Sequence, residues 1–149
     1  MSITQAMCTL FKKDVLLGDH HLDTDLIFIA LYTSQVTLNA ATDGYITANE
    51  VANGNGYTTG GERLTFTSPV VAVAENGTSG VFDADDPEWT GATFTAAAAL
   101  IYNKTLYTAD NNRGAIAVLN FGGNFTVTGG TFKIVFPAPT ANNAIIRID

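Results

Sequence analysis

The alternation of apolar and polar positions places two long apolar segments at the centre of the chain. Ala92 to Asn103 reads ATFTAAAALIYN and Ala115 to Gly123 reads AIAVLNFGG, and each is long enough to cross a protein core as a strand. The four alanines from 96 to 99 would suit a helix, but the Thr and Phe residues before them and the Ile and Tyr after them favour a strand. We therefore predict two central strands, joined by a loop rich in Asp and Asn.

Shorter segments on either side have the pattern of further strands. The continuous apolar run from Leu26 to Thr33 predicts a first core strand. Shorter strand signals lie at residues 45–47, 57–59, 63–67, 70–74 and 77–84, and a final strand is predicted at residues 143–149. Proline at position 69 indicates an edge or a kink between two of these runs.

A tight hairpin is predicted near the end of the chain. Phe125 to Thr128 and Thr131 to Pro137 flank Gly129-Gly130, a pair typical of a two-residue turn. Alternation in the second run places Phe132, Ile134 and Phe136 on one face and Lys133 and Val135 on the other.

The first residues predict the one helix. Residues 2–17 carry an apolar stripe, a possible capping box at Ser2 and Gln5, and a glycine, Gly18, where a left-handed C-terminal residue is expected. Such a helix covers an open end of a sandwich, or acts as an arm that docks on a neighbouring subunit.

We predict a single all-β domain, 1–149: a two-sheet antiparallel β-sandwich or jelly roll of about eight strands with residues 2–17 as an N-terminal helical arm.

Composition narrows the possible partners. The chain has 149 residues, only 14% of them charged, and a net charge of −7, so it offers no basic patch for nucleic acid. The single cysteine, Cys8, excludes an intrachain disulfide, which is compatible with assembly in a reducing cytoplasm. The sequence contains neither a run of about 18 apolar residues nor a secretory signal pattern. We therefore expect no nucleic-acid partner, no membrane insertion and no export by the secretory route.

Two acidic segments are candidate metal sites. In GDHHLDTD, His20 and His21 stand among three aspartates, but adjacent side chains on extended backbone point to opposite faces. Asp83, Asp85, Asp86 and Glu88 cluster before Trp89 and raise calcium as an alternative to a charged turn. We favour solvated turns at both places and predict neither a metal nor another cofactor.

The sequence contains no recognisable catalytic constellation. The histidines are adjacent, the thiol is on the predicted helix, and no serine occupies a GxSxG elbow. The long Gly- and Asn-rich stretch 34–61 suits a binding loop, but NGNGYTTGG lacks the Lys and helix of a phosphate-binding loop. We expect a protein that is not an enzyme.

Several segments in a fixed order resemble a known family. They are FKKDVLLG, FIALYTS, NEVANGNGYTTGG, DPEWTGATFTAAAALIYN, AIAVLNFGG, TFKIVFPAP and NAIIRI, and they cover nearly all of the chain from Phe11 onward. The set resembles small virion-associated proteins encoded by tailed bacteriophages. One departure is that the family pattern has an arginine and a glycine just before ALIYN. The resemblance implies a non-enzymatic structural protein and supplies no catalytic residues.

The leading hypothesis from the sequence is a head decoration, or cement, protein. It would bind the outer surface of the capsid and bridge major capsid subunits, in a virion assembled in the bacterial host cytoplasm, and would form a homo-oligomer. The alternatives are a tail, baseplate or fibre-attachment subunit, and a carbohydrate-binding module that stacks Trp89 and loop tyrosines on sugar rings. The predicted interface anchors are four aromatic residues: Phe11, Tyr45, Tyr57 and Trp89.

Overall fold

Two long strands form the centre of the fold, as their apolar runs predict. The computed structural model describes residues 2–67, 70–109 and 113–149. Within these ranges the chain forms eight strands and two helices. The strands are β1 (Ala6–Met7), β2 (Ile27–Tyr32), β3 (Glu62–Arg63), β4 (Val71–Val73), β5 (Gly80–Phe82), β6 (Glu88–Asn103), β7 (Ala115–Lys133) and β8 (Ile146–Ile148); the helices are α1 (Thr9–Leu17) and α2 (Lys104–Ala109).

The strands make two antiparallel sheets. One has the order β1-β7-β6-β2-β3 and the other the order β4-β5-β8. A mostly β chain with a five-stranded sheet, a three-stranded sheet and a short N-terminal helix confirms the predicted all-β class and is consistent with a β-sandwich. Neither described helix is long and apolar enough to cross a membrane.

The inner half of β6 is the centre of the core. Residues 98–103 of β6 pair with β2 on one side, and residues 98–102 pair with β7 on the other. The four alanines from 96 to 99 are all buried in this strand, which confirms the strand prediction. Small side chains at these positions let neighbouring segments approach the sheet closely.

The outer halves of β6 and β7 form a two-stranded ribbon. In the described part of the chain, residues 88–96 of β6 and 125–133 of β7 pair only with each other. Asn120 pairs with Ala98 and Phe125 with Ala96, so five positions along β7 span only two along β6. The extra residues, 121–124, form a bulge. A second irregularity falls at Gly129, whose φ of 60° is left-handed. The hairpin predicted at Gly129-Gly130 is therefore wrong: both predicted strands begin within β7, and the glycine makes a bulge instead of a turn.

The alternation predicted for the following segment is confirmed. Phe132, Ile134 and Phe136 are half-buried and pack against the core, whereas Lys133 and Val135 are exposed. The regular strand ends at Lys133, and beyond it the backbone N–H of Ile134 donates to the carbonyl oxygen of Pro87 at 3.0 Å.

The N-terminal helix is shorter than predicted, although its end is correct. Gly18 adopts a φ of 77° and caps α1 with hydrogen bonds to its last turn. The helix begins at Thr9, since Ile3 forms a parallel bridge with Leu38 and β1 pairs with β7. The capping box at Ser2 is wrong, because residues 2–7 are extended. Residues 2–17 pair and pack with the rest of the domain, and only residues 9–17 of the predicted arm are helical.

Other local predictions fail where tertiary contacts decide the structure. No strand forms at the predicted positions 45–47 and 57–59. Only the last residue of β3 falls in the predicted run 63–67, whereas β4 lies within 70–74 and β5 lies within 77–84. Helix α2 lies in the predicted loop after β6. The side-chain Oδ1 of Asn103 accepts a hydrogen bond from the N–H of Leu106 at 3.2 Å and so caps its first turn.

Candidate interaction surfaces

The four aromatic residues predicted as interface anchors lie in the core of the domain. Their exposed fractions are 1% for Phe11, 7% for Tyr45, 3% for Tyr57 and 1% for Trp89. Trp89 contacts Tyr57 and Phe132, with ring centroids 6.4 and 6.0 Å apart. These residues stabilise the free chain and cannot anchor a partner without unfolding. The anchor prediction is wrong at all four positions, and Trp89 is not available as a sugar platform.

Two of these tyrosines and Glu50 hold the long loop 34–61 in place. The carboxylate of Glu50 accepts hydrogen bonds from the hydroxyls of Tyr45 and Tyr57, at 2.5 and 2.7 Å, and from the N–H of Gly60 at 2.7 Å. The hydroxyl of Tyr57 accepts from the N–H of Leu31 on β2. Burial, reinforced by the bond to Glu50, raises the pKa of both tyrosines. Both hydroxyls therefore stay protonated, and their hydrogen bonds hold the loop against β2.

His20 belongs to a second polar network. Its Nδ1 lies 3.2 Å from the side-chain Nδ2 of Asn103, and its ring packs edge-on against Phe11 at 4.8 Å. The same Asn103 amide donates to Asp25 at 2.6 Å, and that carboxylate also accepts from the N–H of His21 at 2.9 Å. Burial lowers the pKa of His20, partly offset by the carboxylate of Asp14. His21 is exposed, and both histidines line the same groove, described below.

A buried ion pair joins α1 to the start of β7. Asp14 is fully buried, and its carboxylate lies 2.9 Å from the guanidinium of Arg113, which is also 2.9 Å from Asp19. A buried carboxylate needs such a partner, because its desolvation costs several kcal/mol. The pattern of the sequence does not indicate this contact, since its members are separated by almost 100 positions.

The aspartates of the second acidic segment have separate roles. Asp85 accepts from the hydroxyls of Thr65 and Thr67 at 2.9 and 3.0 Å, and these bonds, chiefly that of Thr67, lower its pKa. Asp86 accepts from the N–H of Phe136 and pairs with Lys133 at 3.5 Å. Across the described residues, no three side chains of His, Cys, Asp or Glu come together closely enough to hold a metal ion.

The cysteine is placed where it has no nucleophilic role. Cys8 is fully buried at the start of α1. Burial, with a smaller contribution from Asp43, raises its pKa to about 12. A thiol with this pKa is not ionised near neutral pH and is a poor nucleophile.

An apolar groove, which we call the ribbon groove, runs along the outer half of β7. Its volume is about 460 Å³, and Phe125 and Val135 are 53% and 74% exposed at its rim. Phe121 contacts both Phe125 and Phe132, with ring centroids 6.2 and 6.1 Å apart. The groove is lined by nine residues: Phe121, Phe125, Thr126, Val127, Thr131, Phe132, Lys133, Ile134 and Val135.

A second apolar groove, the sheet groove, lies between α1, the loop after it and the three-stranded sheet. Its volume is about 380 Å³, and Val71 and Ile148 are 55% and 52% exposed along it. It shares no residue with the ribbon groove. Its lining residues are Phe11, Val15, His20, His21, Leu22, Asp23, Val71, Gly80, Val81, Phe82, Ile146 and Ile148.

The ribbon groove lies in a stretch that is almost without charge. Residues 114–146 contain a single charged residue, Lys133, although the whole chain has 21. Depletion of charge together with exposed aromatic residues is the composition found at the buried centres of protein interfaces. The sequence carries this signal, but Phe125 could not be separated from the core phenylalanines without knowing its exposure.

Comparison with known proteins adds no relative. No protein-family model, curated protein or solved structure matches the chain. The case for a function rests on the residues and surfaces of the chain itself.

Proposed function

We propose that this chain is a non-enzymatic structural protein of a bacteriophage virion. In this proposal it is a decoration, or cement, protein that binds the outer surface of the head and bridges neighbouring major capsid subunits. The proposal joins the segment resemblance to phage virion proteins with the surfaces described above.

The observation that carries the proposal is the presence of two separate apolar grooves. A protein that bridges subunits must contact at least two neighbours at once. The ribbon groove and the sheet groove share no lining residue, and each has side chains more than half exposed at its rim. Exposed apolar surfaces of this kind mark interaction sites in proteins that are otherwise soluble.

The chemistry of the grooves suits permanent contacts. Burial of a Phe or Val side chain such as Phe125 or Val71 stabilises a complex by about 1.5–3 kcal/mol. A decoration protein is present in many copies and touches several neighbours, so modest contacts add up through multivalency. Expansion of the shell under the packed genome would first have to separate these contacts, and in this way the protein would stabilise the head.

Burial of the aromatic side chains argues against the carbohydrate-binding alternative. Trp89 and the loop tyrosines Tyr45 and Tyr57 are buried and cannot stack on a sugar ring. The tail or baseplate alternative uses the same kind of surface as the decoration hypothesis, and particle stoichiometry separates the two.

Rebinding to particles that lack the protein tests the proposal. Purified protein is added to such particles, which are washed and analysed for bound chain. We expect saturable binding, weakened at least tenfold by Phe125→Ser and by the double variant Val71→Ser/Ile148→Ser. The matched control is Val73→Ser, because Val73 is 70% exposed and lines neither groove. Absence of binding by the folded wild-type chain would refute the decoration role.

A further inference from the structure

We infer that copies of this chain associate head to tail, with the outer face of α1 from one copy docked in the ribbon groove of the next. This contact concerns the isolated protein in solution. Because it uses the ribbon groove, a copy that holds α1 of a neighbour there cannot at the same time bind a capsid subunit through that groove.

The docking element is the outer face of α1, formed by Lys12, Lys13, Leu16 and Leu17. These residues follow the i, i+4 spacing that places side chains on one face of a helix. Leu16 and Leu17 are 88% and 63% exposed, and both lysines are exposed. The opposite face carries the buried Phe11 and Asp14, so α1 is already fixed to its own domain. The two exposed leucines lie one helical turn after the two lysines, so this face of α1 has an apolar end and a basic end.

The ribbon groove has the complementary arrangement. Its floor is aromatic and aliphatic, and Lys133, which lines it, lies next to two carboxylates. Glu88 is exposed and lies opposite Lys133 across the ribbon, and Asp86 lies 3.5 Å from that lysine. The apolar groove therefore has an acidic end.

The charges of the two surfaces favour a second copy as the occupant. The carboxylates of Glu88 and Asp86 and the ammonium of Lys133 sum to −1 at the end of the groove, against +2 from the lysine pair of α1. The chain as a whole carries −7, so copies repel one another wherever their acidic surfaces meet. Contact between the basic face of α1 and the acidic end of the groove brings opposite charges together and buries the leucines against phenylalanines. Such complementarity selects the orientation as well as the partner.

The contact is heterologous, because the two surfaces are different parts of the chain. In this chain α1 is joined to the first part of β7 through β1 and through the Asp14–Arg113 pair, and one copy carries both surfaces. Heterologous contacts build rings where the rotation closes and open chains where it does not.

Sedimentation velocity on the purified chain tests this inference. We expect the wild type to associate as its concentration rises, with a Kd of up to roughly 100 μM, which is in the range of weak specific contacts. Association should weaken as salt is raised.

Leu16→Ser/Leu17→Ser removes the docking tip and should weaken association at least 100-fold, about tenfold for each leucine. Phe125→Ser/Val135→Ser damages the groove and should have a similar effect. Val73→Ser is the matched control and should associate like the wild type, because this exposed valine lies outside both surfaces. Circular dichroism checks that each variant is folded.

Mixing the two defective variants distinguishes a head-to-tail contact from a symmetric one. The tip variant keeps an intact groove and the groove variant keeps an intact tip, so an equimolar mixture should form a one-to-one dimer that stops there. The charge variant Lys12→Glu/Lys13→Glu should not associate with itself but should regain binding to Glu88→Lys/Asp86→Lys. A wild-type chain that stays monomeric, or association that survives loss of the leucines, would overturn the inference, as would a mixture that fails to form the dimer.

Discussion

Asn103 connects the loop after α1 to the end of β6 and to α2. It is fully buried at the end of β6, where its Nδ2 donates to Asp25 at 2.6 Å and lies 3.2 Å from Nδ1 of His20. Its Oδ1 caps α2 through the N–H of Leu106. Asn103→Asp preserves the size and the capping oxygen but replaces the donor by a carboxylate that faces Asp25.

The expected loss of stability follows from these contacts. The hydrogen bond to Asp25 and the contact with His20 contribute about 1 kcal/mol each, and loss of these partners in a buried site adds a desolvation cost of about 1–3 kcal/mol. The introduced carboxylate also meets the Asp25 carboxylate at hydrogen-bond distance in a site shielded from water. We expect Asn103→Asp to lower the free energy of unfolding by about 3–5 kcal/mol at pH 7, and Asn103→Ala by about 1 kcal/mol less.

Urea denaturation at pH 7, followed by circular dichroism, measures this loss. The matched control is Asn124→Asp, because Asn124 is exposed on the ribbon and its substitution should change stability by less than about 0.5 kcal/mol. The deficit of Asn103→Asp should shrink as pH falls from 7 towards 5, because a protonated carboxyl can again donate to Asp25. An Asn103→Asp variant within about 1 kcal/mol of the wild type at pH 7 would refute the role given to this network.

Three further predictions concern backbone space, pH and thiol reactivity. Gly61 and Gly18 share a φ of 77°, but a Cβ at Gly61 would lie 1.8 Å from the carbonyl oxygen of Ile29 and one at Gly18 would meet open space. Gly18→Ala should therefore lower the free energy of unfolding by about 1–2 kcal/mol, and Gly61→Ala by at least about 2 kcal/mol more. Urea denaturation compares the two variants, and equal losses would contradict the geometry. Because burial holds the pKa of His20 below its ordinary 6.5, its contribution to stability is complete above pH 6.5 and is lost as pH falls below that value. His20→Gln should flatten the pH dependence of unfolding in that window, and an NMR titration midpoint above 6.5 would show the sign to be wrong. Cys8 should react with a maleimide only as fast as the native chain opens, and prompt labelling of folded protein would contradict its burial.

The core strands were predictable because long apolar runs leave few alternatives to burial. The run at 26–33 contains β2, and the run at 92–103 lies within β6, alanines included. Gly18 also ended α1 as predicted, since a left-handed residue after an amphipathic stripe is a strong local signal. These features depend on neighbours in the sequence.

The features that were missed depend on distant partners. Residues 2–7 are extended because Leu38 and β7 supply backbone partners that the helical pattern does not reveal. Gly129 adopts the conformation expected of a turn glycine, yet β6 continues alongside it and converts the predicted hairpin into a bulge.

The interface residues could not be chosen from residue type alone. Tyr57 and Phe125 are both aromatic residues near glycines, but one bonds Glu50 in the core and the other is half exposed on the ribbon. The buried networks around Glu50 and Asn103 were missed for the same reason: their members come from separate parts of the chain. Aromatic content predicts that a core or an interface exists, and exposure in the folded chain decides which.

The copy number of this chain in purified phage particles tests the proposed function most directly. Quantitative mass spectrometry would compare it with the major capsid protein of the same particles. A decoration protein should be present at a number comparable to that of the capsid subunit. A small fraction of that number would contradict the decoration role and indicate the tail or a vertex, and complete absence would contradict a place in the virion.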